Sequence, residues 1–435
     1  MTKHNVFLLS LGCSKNTVDS ERLMAQAEAS GINFTETADD AEMILINTCG
    51  FIQDAKEESI AETLAAIDKK AEGKIRKIVV MGCLSELYRK EMKVEMPEVD
   101  EFFGTRELPE VLAALGASYR QELFDQRSLL TPPHYSYLKI AEGCNRGCSF
   151  CSIPKIRGRY RSQPLDQLLR EAALLQQNGV RELNVIAQDI SIYGYDTIGK
   201  PLLNELLLRL SDMDFEWIRL LYAYPVNFPL EVIATMRDRN NICNYLDIPL
   251  QHCNDRILRS MNRGVSKQES IRLLETIREK NPDIHLRTTM IAGYPSETRE
   301  EFEELLEFVE ATRFDRLGCF AYSHDEHAPS FALTDSVTAE EKQDRAAELM
   351  ELQEAISEEN NARVEGKTLK VLIEQIEDGT AFGRTEYDAP EVDNECILTT
   401  ENLPVTVGSF CMATITDSSA HELYGTVDRL MEKSR

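Results

Sequence analysis

Tyr137-Leu-Lys-Ile-Ala-Glu-Gly-Cys144-Asn-Arg-Gly-Cys148-Ser-Phe-Cys151 sets three cysteines at i, i+4 and i+7 in a glycine-bearing loop behind a strand-like apolar run. Thiolates are soft ligands that select zinc, copper(I) or iron–sulfur clusters. A structural zinc site closes a tetrahedron with a fourth N or S donor. The nearest histidine, His134, lies upstream on the far side of the strand. Three cysteines on a 4Fe–4S cluster leave one iron with an open position, where a small molecule can bind. An incomplete zinc knuckle or three packing thiols are the plain alternatives.

The same strand-then-helix unit recurs about six times between residues 130 and 335. Strands are expected at Tyr137–Ala141, Glu182–Ala187, Trp217–Ala223, Tyr245–Pro249, Leu286–Ala292 and Arg316–Tyr322. Helices are expected at Pro164–Asn178, Pro201–Met213, Leu230–Arg237, Ser266–Lys280 and Ser296–Thr312, with Pro164 and Pro201 suited to a first turn. Such units predict a partial (β/α)6 barrel whose working rim is the carboxyl end of its strands. The Cys144 loop follows the first strand and so falls on that rim.

Residues 1–125 also alternate. Asn5-Val-Phe-Leu-Leu-Ser-Leu, Met43-Ile-Leu-Ile-Asn and Lys77-Ile-Val-Val-Met are short apolar runs separated by amphipathic stretches such as Ile52–Asp68. This predicts an open α/β sheet with mostly parallel strands. One cysteine follows each run: Cys13, Cys49 and Cys83. All three fall at strand carboxyl ends, the edge where open α/β sheets bind ligands. Cysteine is a common buried hydrophobe, but three at equivalent positions suggest a second metal site.

Thr338–Val364 reads as a charged connecting helix, assigned to residues 338–363. Residues 364–435 then switch to all-β patterning, with strand-like Thr368-Leu-Lys-Val-Leu-Ile-Glu, Val405-Thr-Val-Gly and Phe410-Cys-Met-Ala-Thr-Ile-Thr. A small barrel is expected there.

Composition narrows the function. The chain has 435 residues, 43% hydrophobic, enough for two or three domains with real cores. No apolar run approaches the ~20 residues of a membrane span, and Val6-Phe-Leu-Leu-Ser-Leu-Gly-Cys13 reads as a buried first strand rather than a lipoprotein signal. Eleven cysteines without a secretory signal point to metal or catalytic use in the cytoplasm. The formal net charge of −26 repels nucleic acid and attracts basic proteins.

The Cys144 loop, with aromatic Phe150 before its last cysteine, resembles the cluster motif of the radical S-adenosylmethionine superfamily. The resemblance implies that the free iron binds S-adenosylmethionine and that the reduced cluster cleaves it to a 5′-deoxyadenosyl radical. With the N-terminal triad and the terminal β-barrel, the whole chain resembles the methylthiotransferases, which replace an unreactive C–H by C–S–CH3. Two 4Fe–4S clusters are then implied, one held by Cys144, Cys148 and Cys151, the other by Cys13, Cys49 and Cys83. S-adenosylmethionine would serve as both methyl donor and radical source, and the last domain would be TRAM-like.

Within that family, Ser10-Leu-Gly-Cys-Ser-Lys-Asn-Thr-Val-Asp-Ser-Glu21, Asn47-Thr-Cys-Gly-Phe-Ile52 and Gly383-Arg-Thr-Glu-Tyr-Asp-Ala-Pro-Glu-Val-Asp393 are similar to the branch that methylthiolates an aspartate β-carbon. Its substrate is the twelfth protein of the small ribosomal subunit. The competing branch modifies isopentenylated adenosine in tRNA, and typically has Gln-Met-Asn where Ser14-Lys15-Asn16 stands here. From Val364 onward six Lys/Arg face fourteen Asp/Glu, a net of −8, which suits a basic ribosomal protein better than tRNA. A solvated acidic surface is the plain alternative, and a non-enzymatic metal scaffold is the rival outside catalysis. An unidentified electron-donor protein is also implied.

The resemblance places the cofactor on the rim, with Phe150, Gln188, Arg287 and Gly293 as candidate contacts. Asp189, Gln251 and His252 share that rim. Arg157, Arg159 and Arg161 could steady carboxylates there or pair with loop glutamates. His324 and His327 read as ordinary loop histidines, and Cys243, Cys253, Cys319, Cys396 and Cys411 as structural thiols. No catalytic proton carrier is identifiable.

Overall fold

The computed structural model describes residues 4–401 and 403–431. The chain builds three large sheets in sequence order, with a two-stranded pair beside the second. The first domain is a five-stranded parallel sheet of β1 (Asn5–Ser10), β2 (Asn33–Phe34), β3 (Met43–Thr48), β4 (Lys77–Gly82) and β5 (Glu101–Phe102), in the order β2-β1-β3-β4-β5. Its central runs are apolar throughout because helices cover both faces. Ile44, Ile46, Ile78 and Val80 enter one core, while Leu45 and Val79 enter the other. The helices are α1 (Ser14–Glu28), α2 (Gln53–Ala71), α3 (Cys83–Glu95) and α4 (Leu108–Ala114). The two-residue edge strands were not legible in the sequence, being too short to carry a pattern.

The middle domain is the expected partial barrel. Its six strands are β6 (Tyr135–Lys139), β9 (Glu182–Ile186), β10 (Trp217–Leu220), β11 (Ile242–Asp247), β12 (His285–Ala292) and β13 (Arg316–Ala321). They pair in parallel in the order β13-β12-β11-β10-β9-β6, open between the first and last. Between β6 and β9 the short strands β7 (Ala141–Glu142) and β8 (Arg161–Ser162) pair antiparallel. β6 and β11 begin two or three residues earlier than periodicity suggested, because Tyr135, Ser136 and Asn244 give polar or aromatic starts to buried strands. Helices α5 (Ile153–Ile156), α6 (Leu165–Gln177), α7 (Tyr195–Ile198), α8 (Leu203–Ser211), α9 (Glu231–Asp238), α10 (Asp255–Ser260), α11 (Lys267–Lys280) and α12 (Arg299–Thr312) fill the crossovers. Pro164 is the N-cap of α6 rather than inside its first turn. α12 starts after Thr298, whose side chain forms a capping box with Glu301; an earlier start at Ser296 misses that signal.

α13 (Ala339–Ala362) is not a free connector. Ala346, Leu349 and Ile356 join the main barrel core, so the helix covers the β12–β13 side of the sheet. Strands β14 (Thr368–Glu377), β15 (Thr380–Thr385), β16 (Glu395–Thr399), β17 (Phe410–Ser418) and β18 (Glu422–Leu430) then close a barrel. The expected strand Val405–Gly408 is instead coil leading into a turn, and the Gly408 carbonyl accepts from Arg181. Glu432 to Arg435 lie outside the described residues.

This last domain docks on the amino ends of the barrel strands and plugs them. Arg219, fully buried, donates to Glu182 and to the backbone carbonyls of Glu386 and Thr385. Arg384 bridges Glu182 and Glu374, and Arg316 pairs with Asp388. Phe410 meets Trp217 edge-on, ring centroids 4.7 Å apart. Among the described residues no helix is long and apolar enough to cross a membrane.

Candidate functional site

The N-terminal cysteines share one local design, in which each stands where a parallel strand hands over to a helix. Cys13 is the N-cap residue of α1, Cys49 follows β3 just ahead of α2, and Cys83 is the first residue of α3. The three adjacent strand ends put the thiols at one edge, each near the positive end of a helix dipole. Such positions favour thiolates and anionic groups. Two glycines make the approach close. A Cβ on Gly12, at φ +88°, would stand 2.7 Å from the Cys49 Cβ. One on Gly82, at φ +105°, would stand 2.5 Å from the Thr48 carbonyl oxygen.

The thiols of this triad lie within range of one another's charge. Burial pushes the Cys83 thiol up to about 12, aided by the charges of Cys13 and Cys49 and opposed by Arg157. Burial likewise raises Cys49. Cys13 is reached by solvent yet enclosed by protein, as in a cleft. Burial would raise it, but Lys15 and Arg157 outweigh that and hold it below the ordinary thiol range.

The second triad lies on the loop between β7 and α5. Burial drives Cys144 up to about 11 and Cys151 up to about 12. The Arg146 backbone N–H donates to Cys144 Sγ at 3.3 Å, and Arg263 Nη1 donates to Cys148 Sγ at 3.3 Å. Arg146 and Arg263 both stack on the Tyr224 ring, at 4.0 and 4.2 Å. Arg146 is held in turn by Asp189, 2.8 Å away. Among the described residues no three His, Cys, Asp or Glu side chains converge as a single ion would require. The donor set of each triad is three thiols, with a cationic hydrogen-bond donor on one of them. That set fits an anionic polynuclear cluster with one metal position left open.

Arg157 ties the barrel to the N-terminal triad. It is buried, on the loop after α5, and pairs with Asp19 at 2.6 Å and Glu142 at 3.2 Å. Its other nitrogen donates to Asn16 Oδ1 and to Cys83 Sγ, the latter at 3.7 Å. Lys139, at the end of β6, pairs with the same Asp19 and Glu142. Among the described residues Arg159 and Arg161 form no ion pair.

The expected cofactor contacts divide. Phe150 packs beside the apolar cluster of Ile257, Met261, Ile291, Tyr294 and Tyr322 at the cysteine loop. Gln188 stands at the rim: Nε2 donates to Glu142 at 3.3 Å, while its buried Oε1 has no partner. Arg287 is not brought to the cysteine loop. It is the third residue of β12, and its guanidinium is taken by Asp247 and by Asp393 of the last domain, each at 3.2 Å. The Gly293 Cα faces α13, where a Cβ would meet Lys342 Cγ at 2.3 Å. His252 pairs with Glu297 in the interior, and His327 packs edge-on against Tyr88. Cys243, Cys253, Cys396 and Cys411 are buried thiols. The sequence reading missed Asn16, Asp19, Lys139, Glu142, Tyr224, Arg263 and Asn184, whose amide is buried in the barrel without a partner. Lys139 and Glu142 could have been found from their place at a strand end; Arg263 carries no such signal.

Comparison with known proteins agrees with this layout. Residues 5–104 match the uncharacterized protein family UPF0004, residues 138–309 the radical SAM superfamily, and residues 366–427 the TRAM domain. A protein of Pelodictyon phaeoclathratiforme named ribosomal protein uS12 methylthiotransferase RimO is 76% identical over 98% of this chain and 99% of its own. Its namesake in Chlorobium phaeobacteroides is 73% identical over the same shares. Among solved structures, the radical S-adenosylmethionine methyltransferase TsrM from Kitasatospora setae aligns with a TM-score of 0.55 at 14% identity. The alignment covers 76% of this chain and 77% of that one, and shows a shared fold.

Proposed function

This chain belongs to the ribosomal protein uS12 methylthiotransferase family, radical S-adenosylmethionine enzymes, and from that premise we propose that it methylthiolates an aspartate of uS12 at the β-carbon. That carbon has no leaving group and no acidic proton, so a thiol cannot attack it directly. When bound, a 4Fe–4S cluster with S-adenosylmethionine supplies a carbon radical able to remove such a hydrogen.

Cys144, Cys148 and Cys151 would hold that cluster, and Arg263 would donate to its Cys148 ligand. Phe150 and Gln188 line the place of the cofactor, with Gly293 behind them on the rim. Arg287 is left to anchor the last domain. Cys13, Cys49 and Cys83 would hold a second 4Fe–4S cluster that carries the sulfur to be delivered. Two molecules of S-adenosylmethionine are then used, one for the methyl group and one for the radical. An electron-donor protein must reduce the site, in the cytoplasm where uS12 is made.

The observation that carries the reading is Arg157, which follows the Cys144–Cys151 loop of the barrel and donates to Cys83 of the N-terminal triad, and so supports one enzyme in which both triads take part. The test is to incubate anaerobically reconstituted, reduced protein with S-adenosylmethionine and uS12 and map the peptides by mass spectrometry. A methylthio group on one aspartate is the expected product. Unmodified uS12 beside 5′-deoxyadenosine would turn the substrate search to tRNA.

A further inference from the structure

Around the two triads, several cations are spoken for by carboxylates. Arg157 and Lys139 share Asp19 and Glu142, Arg146 is paired with Asp189, and Lys56 with Asp325 at 3.1 Å. Lys15 is different. It is the second residue of α1 and only 7% exposed, yet among the described residues no carboxylate pairs with it. Its ammonium lies over the face of the Tyr222 ring. α1 also has no acidic residue in its first turn to offset the helix dipole.

Tyr222 is itself held in an unusual state. Its φ is +68°, a conformation that bulky residues rarely adopt. The Tyr222 N–H donates to Asp247 at 3.0 Å, and its carbonyl accepts from the Ile190 N–H at 3.2 Å. The backbone is thus fixed from the end of β11 and from the loop after β9, and the ring is presented to Lys15. Local strain of this kind persists where the surroundings over-determine it, often at ligand clamps. A little-exposed ammonium set against one ring face and near the Cys13 sulfur gains from an anion that completes its environment. The Cys13 sulfur is committed to its triad, which leaves the Lys15 ammonium open to an anion from outside the chain.

We infer that Lys15, clamped on Tyr222, binds the side-chain carboxylate of the substrate and so holds its β-carbon between the two thiol triads. The inference rests on the aspartate reading above and names the residue that recognises that aspartate. The carboxylate is one bond from the reacting carbon, so anchoring it restricts that carbon to the cleft, where orientation counts most. The cation–π contact keeps the ammonium from swinging away.

The experiment is a binding measurement on the reconstituted protein without S-adenosylmethionine, using fluorescence anisotropy. The probes are labelled uS12 and uS12 with asparagine at the modified aspartate. Wild type should prefer the aspartate form by about tenfold or more, as a hydrogen bond to a charged group allows. Lys15→Met should bind both forms about equally, and Lys15→Arg should keep the preference. Unchanged iron content and visible spectrum in Lys15→Met would show that the loss lies in recognition. Full preference retained by Lys15→Met, or none shown by wild type, overturns the assignment while leaving uS12 as the substrate. Loss of iron from Lys15→Met also overturns it, by making Lys15 a support of the cluster. Wild type that binds neither form overturns the uS12 reading and this assignment together.

Discussion

The Arg157 guanidinium donates to the Cys83 sulfur across 3.7 Å, so a residue of the radical barrel touches a thiol of the other domain's triad. The contact is fixed because Asp19 and Glu142 grip the same guanidinium from both domains. Removing it with Arg157→Ala leaves Asp19 and Glu142 to Lys139 alone. A loss on the order of 1–2 kcal/mol is expected from urea unfolding of the metal-free protein at neutral pH. Arg157→Lys should recover part of it, since lysine keeps the charge but not the fork. Equal stability of Arg157→Ala and wild type would mean that the domains are held by other contacts.

The two triads should fail separately. Cys148→Ala should abolish 5′-deoxyadenosine formation, because it removes a ligand of the radical-generating site. Cys49→Ala should leave cofactor cleavage intact and stop sulfur insertion. Methylthio transfer by the Cys49 variant, read by peptide mass, would contradict the division of labour.

Backbone geometry offers a second way to remove one triad alone. At Gly82 a methyl group would meet the Thr48 carbonyl at 2.5 Å and the Asn47 side chain at 2.5 Å, on a residue at φ +105°. Gly82→Ala should therefore displace the β4–α3 turn that carries Cys83, at a cost of roughly 2 kcal/mol or more. After reconstitution the variant should hold about half the wild-type iron if each triad holds one cluster of equal size. Full iron occupancy would show that the turn can move without losing its ligand.

What the sequence could show follows from these same residues. The cysteine positions were readable because strand ends in α/β folds are marked by a change of periodicity, and six cysteines sit at such changes. The barrel strands were readable because helix-facing residues such as Val185, Leu246 and Leu286 alternate with interior ones. The second shells were not, since Arg263 reaches Cys148 across 115 positions and no local pattern records that. Gly383–Asp393 was legible as a family signature but not as a plug. Its carboxylates also weaken the simple charge argument. Asp388 and Asp393, and Glu374 nearby, meet barrel or neighbouring arginines rather than solvent. Net charge counts them as acidic surface; the fold uses them as anchors.

Arg219 is the centre of that anchoring. It is fully buried, and its donors satisfy Glu182 and two backbone carbonyls of the plug segment. Arg219→Met keeps the volume but strands those acceptors, a change expected to cost about 3 kcal/mol. The effect should be confined to docking, with hydrogen exchange rising in β15 and the following loop while iron content stays unchanged. A protein with wild-type protection there would show that the plug is held by its apolar contacts, chiefly Phe410 on Trp217.

Acid should release the same interface by a separate group. Glu374 is desolvated, which would raise it, but His134 and Arg384 more than reverse this and hold it down to about 2. An ordinary unfolded glutamate titrates near ~4.3. The folded value is the lower one, so the stabilisation is complete above the unfolded value and is lost as pH falls toward about 2. The full difference is worth on the order of 2–3 kcal/mol. Glu182 is held low as well by Arg384 and Arg219 against its burial, so wild type alone would mix the two titrations. Comparison with Glu374→Gln isolates the first. The difference in unfolding free energy between wild type and the variant should shrink from about pH 4.5 downward. A difference that does not change over that range would mean that Glu374 is protonated in both states, or paired in neither.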